Sequence, residues 1–445
     1  MDELLNCIEV QNALQFLKED DERTLKEHLE MCQIPAPSYE EREKAEYVRG
    51  KMEEAGLENV RIDEVGNVLG TWKGSGHGPR IMIAGHTDTV FPRETDLTLK
   101  KEGNRYSCPG IGDDTRAVAE LLTLARALKA TGIRGEGDIV FCANVCEEGL
   151  GDLRGTKHAF GADTDRNNSI GKNDCADRIS RTSERDCQEN RVEETTADKY
   201  DGFVSIDDKN TAGIIYKAVG SERYLVTFHG TGGHSFTGFG IPNPIHAMGR
   251  AIGKISDFQV PENPKTTFSV GVVNGGTSVN VIPAECSMLI DMRSVDAGEL
   301  AKLSEKFHQA VEEAVQEENA RWNYVNSGRT EKTLSTNRIT VTFQQKGKRP
   351  AGSQEKDCLI VRAADAANQA IGMETVYIGA ASTDANIPIS LGIPAITVGW
   401  GGKGGGEHTV HEWYEHVESW KGPQRDLLLL LALSGYKGIR KYQLT

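Results

Sequence analysis

Short runs of aliphatic residues alternate along this chain with segments that carry one apolar helical face, and this alternation restricts the fold more than any other feature. Residues 81–84 and 139–145 form strand-like runs, and apolar side chains recur at helical spacing over residues 118–128 between them. Continuous apolar strands separated by helices are typical of parallel strands that are covered on both faces. The sequence therefore predicts an α/β fold with a mostly parallel sheet.

A helix is predicted before the first of these strands. Ser38 followed by Glu41 matches the capping box, in which the two side chains satisfy free N–H groups at the start of a helix. The predicted helix covers residues 41–55, and Gly56 ends it.

A second pattern interrupts the first between residues 223 and 343. Its elements follow the order strand, helix, strand, strand, helix, strand, and residues 286–292 alternate with the period of two that a half-buried strand requires. A βαββαβ order is typical of a ferredoxin-like sandwich. At 445 residues the chain also exceeds the length that one hydrophobic core usually serves. We predict one domain formed by residues 1–218 and 348–445, and a second, inserted domain formed by residues 219–347.

Residues 164–199 fit neither domain. The segment is rich in Asn, Asp, Arg, Glu, Ser and Thr and is almost empty of aliphatic residues. Such a composition cannot bury enough apolar surface to offset the entropy of ordering. We expect a mobile surface excursion from the first domain, with a lid or contact loop folded over the site as the alternative.

The composition argues against several classes of partner. A formal net charge of −15 disfavours binding to nucleic acid or to an anionic membrane. The acidic start has no features of a secretory signal, and the longest apolar run, residues 427–433, is too short to span a bilayer. The nine cysteines include no CxxC pair, which favours reduced thiols. We expect a cytoplasmic protein with no nucleic-acid or membrane partner.

Five polar strings follow the strand-like runs or open the helices after them. Alone, each has an ordinary explanation, such as a hydrogen-bonded His–Asp pair, a helix cap or a polar loop. Together they place histidines and carboxylates at the carboxyl ends of strands, where open α/β sheets bind ligands. The strings are Gly85-His86-Thr87-Asp88, Gly112-Asp113-Asp114, Cys146-Glu147-Glu148-Gly149, Ile206-Asp207-Asp208 and Glu407-His408-Thr409.

These residue types point to a metal site. Imidazole and carboxylate ligands without dedicated thiolates suit zinc, with manganese and cobalt as alternatives. The adjacent carboxylates of Glu147 and Glu148 repel each other, which makes most sense if one binds a metal and the other remains free as a base. Two divalent ions together can polarise a carbonyl and acidify a shared water. We therefore predict a metal-dependent amidohydrolase or peptidase with two divalent ions.

In this combination and order, the motifs resemble the superfamily of co-catalytic zinc hydrolases that includes peptidase T, carboxypeptidase G and acetylornithine deacetylase. The resemblance covers nearly the whole chain apart from residues 164–199. It implies a phosphorylase/hydrolase-like α/β catalytic domain and an inserted lid and dimerisation domain, and hence a homodimer. It also implies a ligand set in which Asp113 bridges two ions, His86 and Asp207 complete one site, and Glu148 and His408 complete the other. Asp208 remains the alternative to Asp207.

The resemblance further assigns roles beside the metal ligands. It implies that Glu147 is the general base, that Asp88 orients His86, and that the peptide bond between Asp113 and Asp114 is cis. In the inserted domain it implies that His234 stabilises an oxyanion and that Asn280 and Arg293 contact the substrate. The guanidinium of Arg293 suits a substrate carboxylate because it can bind two oxygens at once.

The expected reaction is amide hydrolysis with a metal-bridged hydroxide as the nucleophile. Thr383-Asp384-Ala385-Asn386 and the glycine-rich approach to His408 resemble the peptidase T branch most, which implies an aminopeptidase of di- or tripeptides. An N-acyl-amino-acid deacylase or a carboxypeptidase of the same superfamily is the alternative. A catalytically inactive relative that binds metal or peptide is the alternative of another class.

Overall fold

The computed structural model describes residues 1–162, 199–322 and 337–444. The excursion expected at residues 164–199 lies outside the described residues, apart from Lys199. The elements up to residue 218 are α1 (Asp2–Leu5), α2 (Ile8–Glu19), α3 (Asp21–Met31), α4 (Arg42–Glu54), β1 (Glu58–Ile62), β2 (Val68–Trp72), β3 (Ile81–His86), β4 (Lys100–Glu102), β5 (Arg105–Ser107), α5 (Thr115–Thr131), β6 (Ile139–Asn144), α6 (Arg154–Ala159), β7 (Gly202–Ile206) and β8 (Gly213–Ala218).

The remaining elements form two groups along the chain. Residues 219–349 contain β9 (Gly220–His229), β10 (Gly233–His234), α7 (Pro244–Ser256), β11 (Thr266–Gly275), β12 (Val281–Ile282), β13 (Glu285–Ser294), α8 (Ala297–Arg321) and β14 (Thr340–Arg349). The last group is β15 (Gly352–Ser353), α9 (Leu359–Ala370), β16 (Val376–Ala381), α10 (Asn386–Ser390), β17 (Ala395–Val398), β18 (Lys403–Gly405), β19 (Trp413–Glu415) and α11 (Lys421–Ser434).

The largest sheet has the strand order β1-β2-β6-β3-β7-β17-β8-β15, and β16 also pairs with β8. Its centre, β6-β3-β7-β17, is parallel, whereas the pairs toward both edges are antiparallel except β8–β16. Strands β3, β6, β7 and β17 are buried along their whole length, as their aliphatic sequences require. The predicted α/β fold with a mostly parallel sheet is confirmed, and the carboxyl ends of the four central strands meet at one edge.

Two buried helices form much of the core beside this sheet. Helix α5 packs against β3, and α2, α3 and α11 pack against α5. The leucine run at residues 427–433 lies in α11, where every one of its side chains is buried. Burying one leucine stabilises the fold by about 1.5–3 kcal/mol, so this run is accounted for by the core. Among the described residues, no helix is both long and apolar enough to cross a membrane.

The inserted segment forms a separate four-stranded sheet, which we call the lid sheet. Its order is β11-β13-β9-β14, with every pair antiparallel, and α7 and α8 pack on one face. Alternate residues of β13, from Cys286 to Met292, face those helices and join Phe307 in an apolar cluster. The elements follow the predicted βαββαβ order, and the short pair β10–β12 is added to the connections.

The start of helix α4 differs from the predicted capping box. The helix begins at Arg42 with Glu41 before it, and neither Ser38 nor Glu41 caps it. The Ser38 hydroxyl instead donates a 2.7 Å hydrogen bond to Asp88, and the Glu41 carboxylate accepts one from the backbone N–H of Cys146 at 3.1 Å. The predicted capping box is therefore wrong, because both side chains face the neighbouring strand ends.

Candidate metal centre

The chain directions explain why the polar strings converge. His86 is the last residue of β3, Glu147 and Glu148 follow β6, and Asp207 directly follows β7. Because these strands are parallel neighbours, their carboxyl ends deliver the side chains to the same edge. Asp113 comes from the turn before α5, and its peptide bond to Asp114 is cis, as the family resemblance implies.

The two carboxylate oxygens of Asp113 face different histidines. His86 Nε2 lies 3.0 Å from Asp113 Oδ1, and His408 Nε2 lies 3.1 Å from Asp113 Oδ2. Each histidine also meets a second carboxylate, at 3.9 Å for His86 Nε2 to Asp207 Oδ1 and at 2.8 Å for His408 Nε2 to Glu148 Oε1. The geometry thus forms two groups of ligand atoms that share Asp113.

Both groups have dimensions that could hold a cation. Potential ligand atoms of His86, Asp113 and Asp207 lie within 4.8 Å of one another, and so do those of Asp113, Glu148 and His408. A third group of the same size combines His86 with Glu147 and Glu148. The structure therefore brings together all five residues that the family resemblance assigns to metal binding, and Glu147 beside them.

Asp207 and Asp208 have different surroundings. Asp207 belongs to a candidate group, whereas the Asp208 carboxylate accepts a hydrogen bond from the backbone N–H of Asn210 at 2.9 Å. Asp208 also lies near Lys209, which forms a 3.1 Å ion pair with Glu407. The geometry favours Asp207 as the ligand and gives Asp208 a role in the turn.

The pKa shifts show the excess of negative charge in the two groups. Burial raises the pKa of Asp207 well above its usual value, and the charges of Asp114 and Asp113 raise it further. Hydrogen bonds to Asp113 and Glu148 raise the pKa of His408 to about 10. Burial alone would lower the pKa of His86, but its contacts with Asp113 and Asp88 raise it well above 6.5. The raised pKa values mean that these groups bind protons, which balance the negative charge as a divalent cation would. The donor set therefore fits a metal site.

Asp88 supports both strand ends. His86 Nδ1 lies 3.0 Å from the Asp88 backbone oxygen and 3.5 Å from its Oδ1, which leaves Nε2 directed at the carboxylates. The Asp88 carboxylate also accepts hydrogen bonds from the backbone N–H groups of Glu147 at 3.0 Å and Glu148 at 3.1 Å. It is fully buried. Asp88 therefore fixes the turn that carries the two glutamates as well as the ring of His86.

Glu147 is 5% exposed and is paired with an arginine that the sequence did not indicate. Arg349 Nη1 donates to Glu147 Oε1 at 2.9 Å, and Arg349 Nη2 donates to the Glu147 backbone oxygen. Burial raises the pKa of Glu147 to about 8, although Arg349 and His86 act in the opposite direction. A buried carboxyl group beside candidate metal ligands has the surroundings that a general base needs.

Glu412 is a further buried acid that sequence reasoning missed. Its carboxylate accepts hydrogen bonds from the N–H groups of Gly110 at 2.7 Å, Gly112 at 2.7 Å and Asp113 at 2.8 Å. It therefore holds the turn that presents Asp113. Its place four residues after His408 was the only signal in the sequence.

Buried charges also brace the glycine-rich loop that leads to His408. Arg116 Nε donates to the Gly401 oxygen at 3.1 Å, and Arg425 Nη2 donates to the Gly399 oxygen at 2.6 Å. The loop lies so close to neighbouring backbone that a Cβ at Gly399 would be 1.8 Å from the Asn210 oxygen. Glycine is thus required here for close packing, and sequence reasoning found the glycines but not the two arginines.

The three predicted lid residues lie apart from these contacts. His234 is exposed in β10, where its Nδ1 accepts a hydrogen bond from the backbone N–H of Phe236 at 3.2 Å. The Asn280 backbone oxygen accepts one from Ser235 at 3.0 Å, and Arg293 Nε donates to Asp291 at 2.7 Å. In the described ranges, none of the three joins a candidate metal group. Their roles stay predictions.

Comparison with known proteins adds two family matches. Residues 216–319 match the model described as the peptidase dimerisation domain, and residues 67–184 match the model of peptidase family M28. A succinyl-diaminopimelate desuccinylase of Nitrosospira multiformis is 26% identical over 286 residues, which are 61% of this chain and 67% of that protein.

Solved structures with a similar fold cover almost the whole chain. The aminopeptidase PepT of Bacillus cereus superposes with a TM-score of 0.67 at 19% identity, covering 92% of this chain and 98% of its own. A tripeptidase of Staphylococcus aureus gives the same TM-score of 0.67, identity of 19% and coverage of 92% and 98%. At this identity the likeness concerns the fold.

Proposed function

We propose that the chain is an aminopeptidase acting on di- or tripeptides with two zinc ions, within the superfamily of co-catalytic metallopeptidases and amidohydrolases that includes peptidase T and carboxypeptidase G. The single observation that carries the proposal is the position of Asp113 between His86 and His408, with one carboxylate oxygen toward each ring. A carboxylate so placed suits a bridge between two cations.

We propose the following roles for the residues of the site. His86, Asp113 and Asp207 would hold one zinc ion, and Asp113, Glu148 and His408 the other. When bound, the two ions would polarise the substrate carbonyl and acidify a water molecule. Glu147 would accept a proton from this water and deliver it to the leaving nitrogen.

Supporting residues would keep the metal ligands and the base in position. Asp88 holds the backbone of Glu147 and Glu148, and Glu412 holds the backbone of Asp113. Because ligand groups must not shift when charge develops, such fixed donors and acceptors contribute to catalysis without reorganising. We assign His234 to stabilising the oxyanion and Asn280 with Arg293 to substrate contact, each from the lid sheet and its connections.

Two candidate activities, peptide cleavage and N-acyl-amino-acid hydrolysis, differ in which end of the substrate the protein recognises. The likeness in fold to an aminopeptidase and a tripeptidase supports cleavage of short peptides. The desuccinylase relative supports hydrolysis of an N-acyl-amino acid instead, and the partly exposed guanidinium of Arg293 suits the carboxylate of such a substrate. We place peptide cleavage first and the acyl-amino-acid reaction second.

The decisive experiment is a substrate panel with the full chain. Di- and tripeptides with free or blocked amino ends, and N-succinyl- and N-acetyl-amino acids, would be incubated with the zinc-loaded protein and, separately, after chelation. Release of the amino-terminal residue from free peptides alone would support the aminopeptidase. Turnover confined to acyl-amino acids would favour the second candidate. No zinc-dependent hydrolysis of either class would contradict the proposal.

Glu147→Gln provides the matched test of the base. The substitution keeps size and hydrogen-bonding capacity but removes the proton acceptor, so we expect kcat to fall by about 100–10,000-fold. Zinc content should stay at two per chain, because Glu147 is outside the proposed ligand sets. Retention of full turnover would exclude Glu147 as the base.

We also propose a homodimer formed through the inserted segment. The match of residues 216–319 to the peptidase dimerisation domain supports this assembly. Light scattering coupled to size exclusion would give about twice the chain mass of 48.6 kDa if the proposal holds. A single-chain mass across micromolar concentrations would contradict it.

A further inference from the structure

The chain passes twice between the largest sheet and the lid sheet, and one side chain binds the backbone at both passages. Asn386 Nδ2 donates to the backbone oxygen of Val219 at 2.8 Å and to that of Pro350 at 3.0 Å. Asn386 is fully buried, and its Oδ1 accepts a hydrogen bond from the backbone N–H of Thr383 at 3.1 Å. Both passages of the chain are therefore fixed relative to α10, which follows the loop that contains Ser382.

Arg349 lies at this crossing, one residue before Pro350. It is the last residue of β14, where it pairs with Ser221 near the start of β9. Its side chain is 5% exposed and leaves the lid sheet to reach the candidate metal centre. The residue thus belongs to the lid by its backbone and to the catalytic site by its side chain.

The guanidinium binds Glu147 at two points. Nη1 donates to Oε1 at 2.9 Å, and Nη2 donates to the backbone oxygen of the same residue. A two-point contact with both the main chain and the side chain limits the rotation of the Glu147 carboxyl group. Because Oε1 is engaged, the other oxygen is left for proton transfer.

Other groups hold Arg349 itself in place. Nη1 also donates to the Ser382 hydroxyl at 3.1 Å, and Nε lies 3.9 Å from Asp152 Oδ1. The Asp152 carboxylate accepts a hydrogen bond from the backbone N–H of Lys348 at 2.8 Å, which ties the same strand end to the loop after Glu148. The planar guanidinium suits this set of fixed acceptors better than a lysine ammonium would.

We propose that Arg349 is a positioning residue for Glu147. Through Arg349, the position of the lid sheet determines the orientation of the catalytic carboxylate. The inference rests on the proposed function, in which Glu147 is the base. Arg349 stays charged throughout and transfers no proton. Its contribution is to hold one carboxylate oxygen and one backbone oxygen so that the remaining oxygen faces the reacting water.

Arg223 offers a matched control on the adjacent strand. Its Nη1 donates to the Gly149 backbone oxygen at 2.8 Å and its Nε to Asp291 at 2.9 Å. It therefore links the lid sheet to the same loop region as Arg349 does. Among the described residues, the hydrogen bonds and ion pairs of Arg223 do not include Glu147, so loss of Arg223 loosens the link between the domains without releasing the base.

The test compares Arg349→Ala, Arg349→Lys and Arg223→Ala with the wild-type chain, each loaded with zinc and assayed on the best substrate of the panel. For Arg349→Ala we expect kcat to fall by about 10–100-fold, with KM changed less than threefold and two zinc ions retained. Millimolar guanidinium should restore part of this kcat by occupying the vacated space. Arg349→Lys should remain impaired, and guanidinium should not raise the activity of Arg223→Ala.

Three outcomes would overturn the inference. One is wild-type kcat in Arg349→Ala or in Arg349→Lys. Another is a loss of kcat that guanidinium does not relieve and that Arg223→Ala shares, which would reveal a general link between domains. The third, decisive if Arg349→Ala does not fold, is an Arg349→Lys variant that binds substrate more weakly, seen as a higher KM, while its kcat is unchanged. An inactive wild type would instead reject the proposed function, and this is measured first.

Discussion

The Glu412 carboxylate accepts a 2.8 Å hydrogen bond from the backbone N–H of Asp113, although 299 positions separate the two residues. The same carboxylate binds the N–H groups of Gly110 and Gly112, so three donors of one turn converge on it. An amide in its place could accept through one atom only and would direct its own N–H groups at the remaining donors. The shape of the turn that carries Asp113 therefore depends on an acid at position 412.

We predict that Glu412→Gln weakens zinc binding by about 10–100-fold, the usual cost of losing a residue that supports metal ligands. Competition with a chromophoric chelator would measure the dissociation constants of both sites. Glu418→Gln is the control, since Glu418 forms an exposed ion pair with Lys421 and should leave zinc affinity unchanged. Equal affinity in Glu412→Gln and the wild type would show that the turn holds its shape without the carboxylate.

Variants of Asp207 and Asp208 can show which of these two residues after β7 is the metal ligand. Asp207 has its carboxylate near His86, whereas Asp208 binds the N–H of Asn210. Each Asp→Asn change keeps the size of the side chain and removes its charge. Asp207→Asn should retain about one zinc ion after dialysis and Asp208→Asn two, as counted by elemental analysis. The reverse pattern would make Asp208 the ligand.

The strand-end residues could be predicted because local sequence specifies them. His86, Glu148 and Asp207 each follow an aliphatic run, and a parallel sheet brings the ends of such runs to one edge. The order of elements in the inserted segment was predictable for the same reason, since the period of apolar residues distinguishes strand from helix.

The residues that support the site could not be predicted in this way. Arg349, Glu412 and Arg116 act through contacts with residues that are distant along the chain, and no local pattern marks them. Ser38 shows the opposite error, because a local pattern matched a helix cap while its hydroxyl binds Asp88. A long-range hydrogen bond depends on how the domains pack, which hydrophobic periodicity does not specify.

Zinc binding should raise the stability of the fold. The carboxylates of Asp113, Glu148 and Asp207 lie together, with Glu148 buried and the two aspartates half-buried, and a cation relieves their repulsion. A ligand that binds only the folded state at 100 times its dissociation constant adds about 2.7 kcal/mol of stability. Thermal unfolding of chelator-treated protein should therefore shift upward on adding zinc, and magnesium at equal concentration should shift it much less. Identical midpoints with and without zinc would argue against a preformed site.

His28 should make the stability of the fold sensitive to acid. Its side chain is fully buried, its Nε2 lies 2.5 Å from the Ile111 backbone oxygen, and burial together with the charge of Arg116 lowers its pKa to about 3. The unfolded chain takes up a proton near pH 6.5 whereas the folded chain does not. The contribution of neutral His28 is therefore complete above pH 6.5 and is lost as pH falls, by about 1.4 kcal/mol per pH unit.

His28→Gln keeps a donor for the Ile111 oxygen but cannot be protonated. We predict that its free energy of unfolding falls less between pH 7.5 and pH 5 than that of the wild type, by roughly 1–2 kcal/mol. Urea titrations at the two pH values would measure this difference. His77→Gln removes an exposed histidine, so it serves as the control and should lose stability with acid as the wild type does. If His28→Gln and His77→Gln respond alike, protonation of His28 is not what weakens the fold in acid.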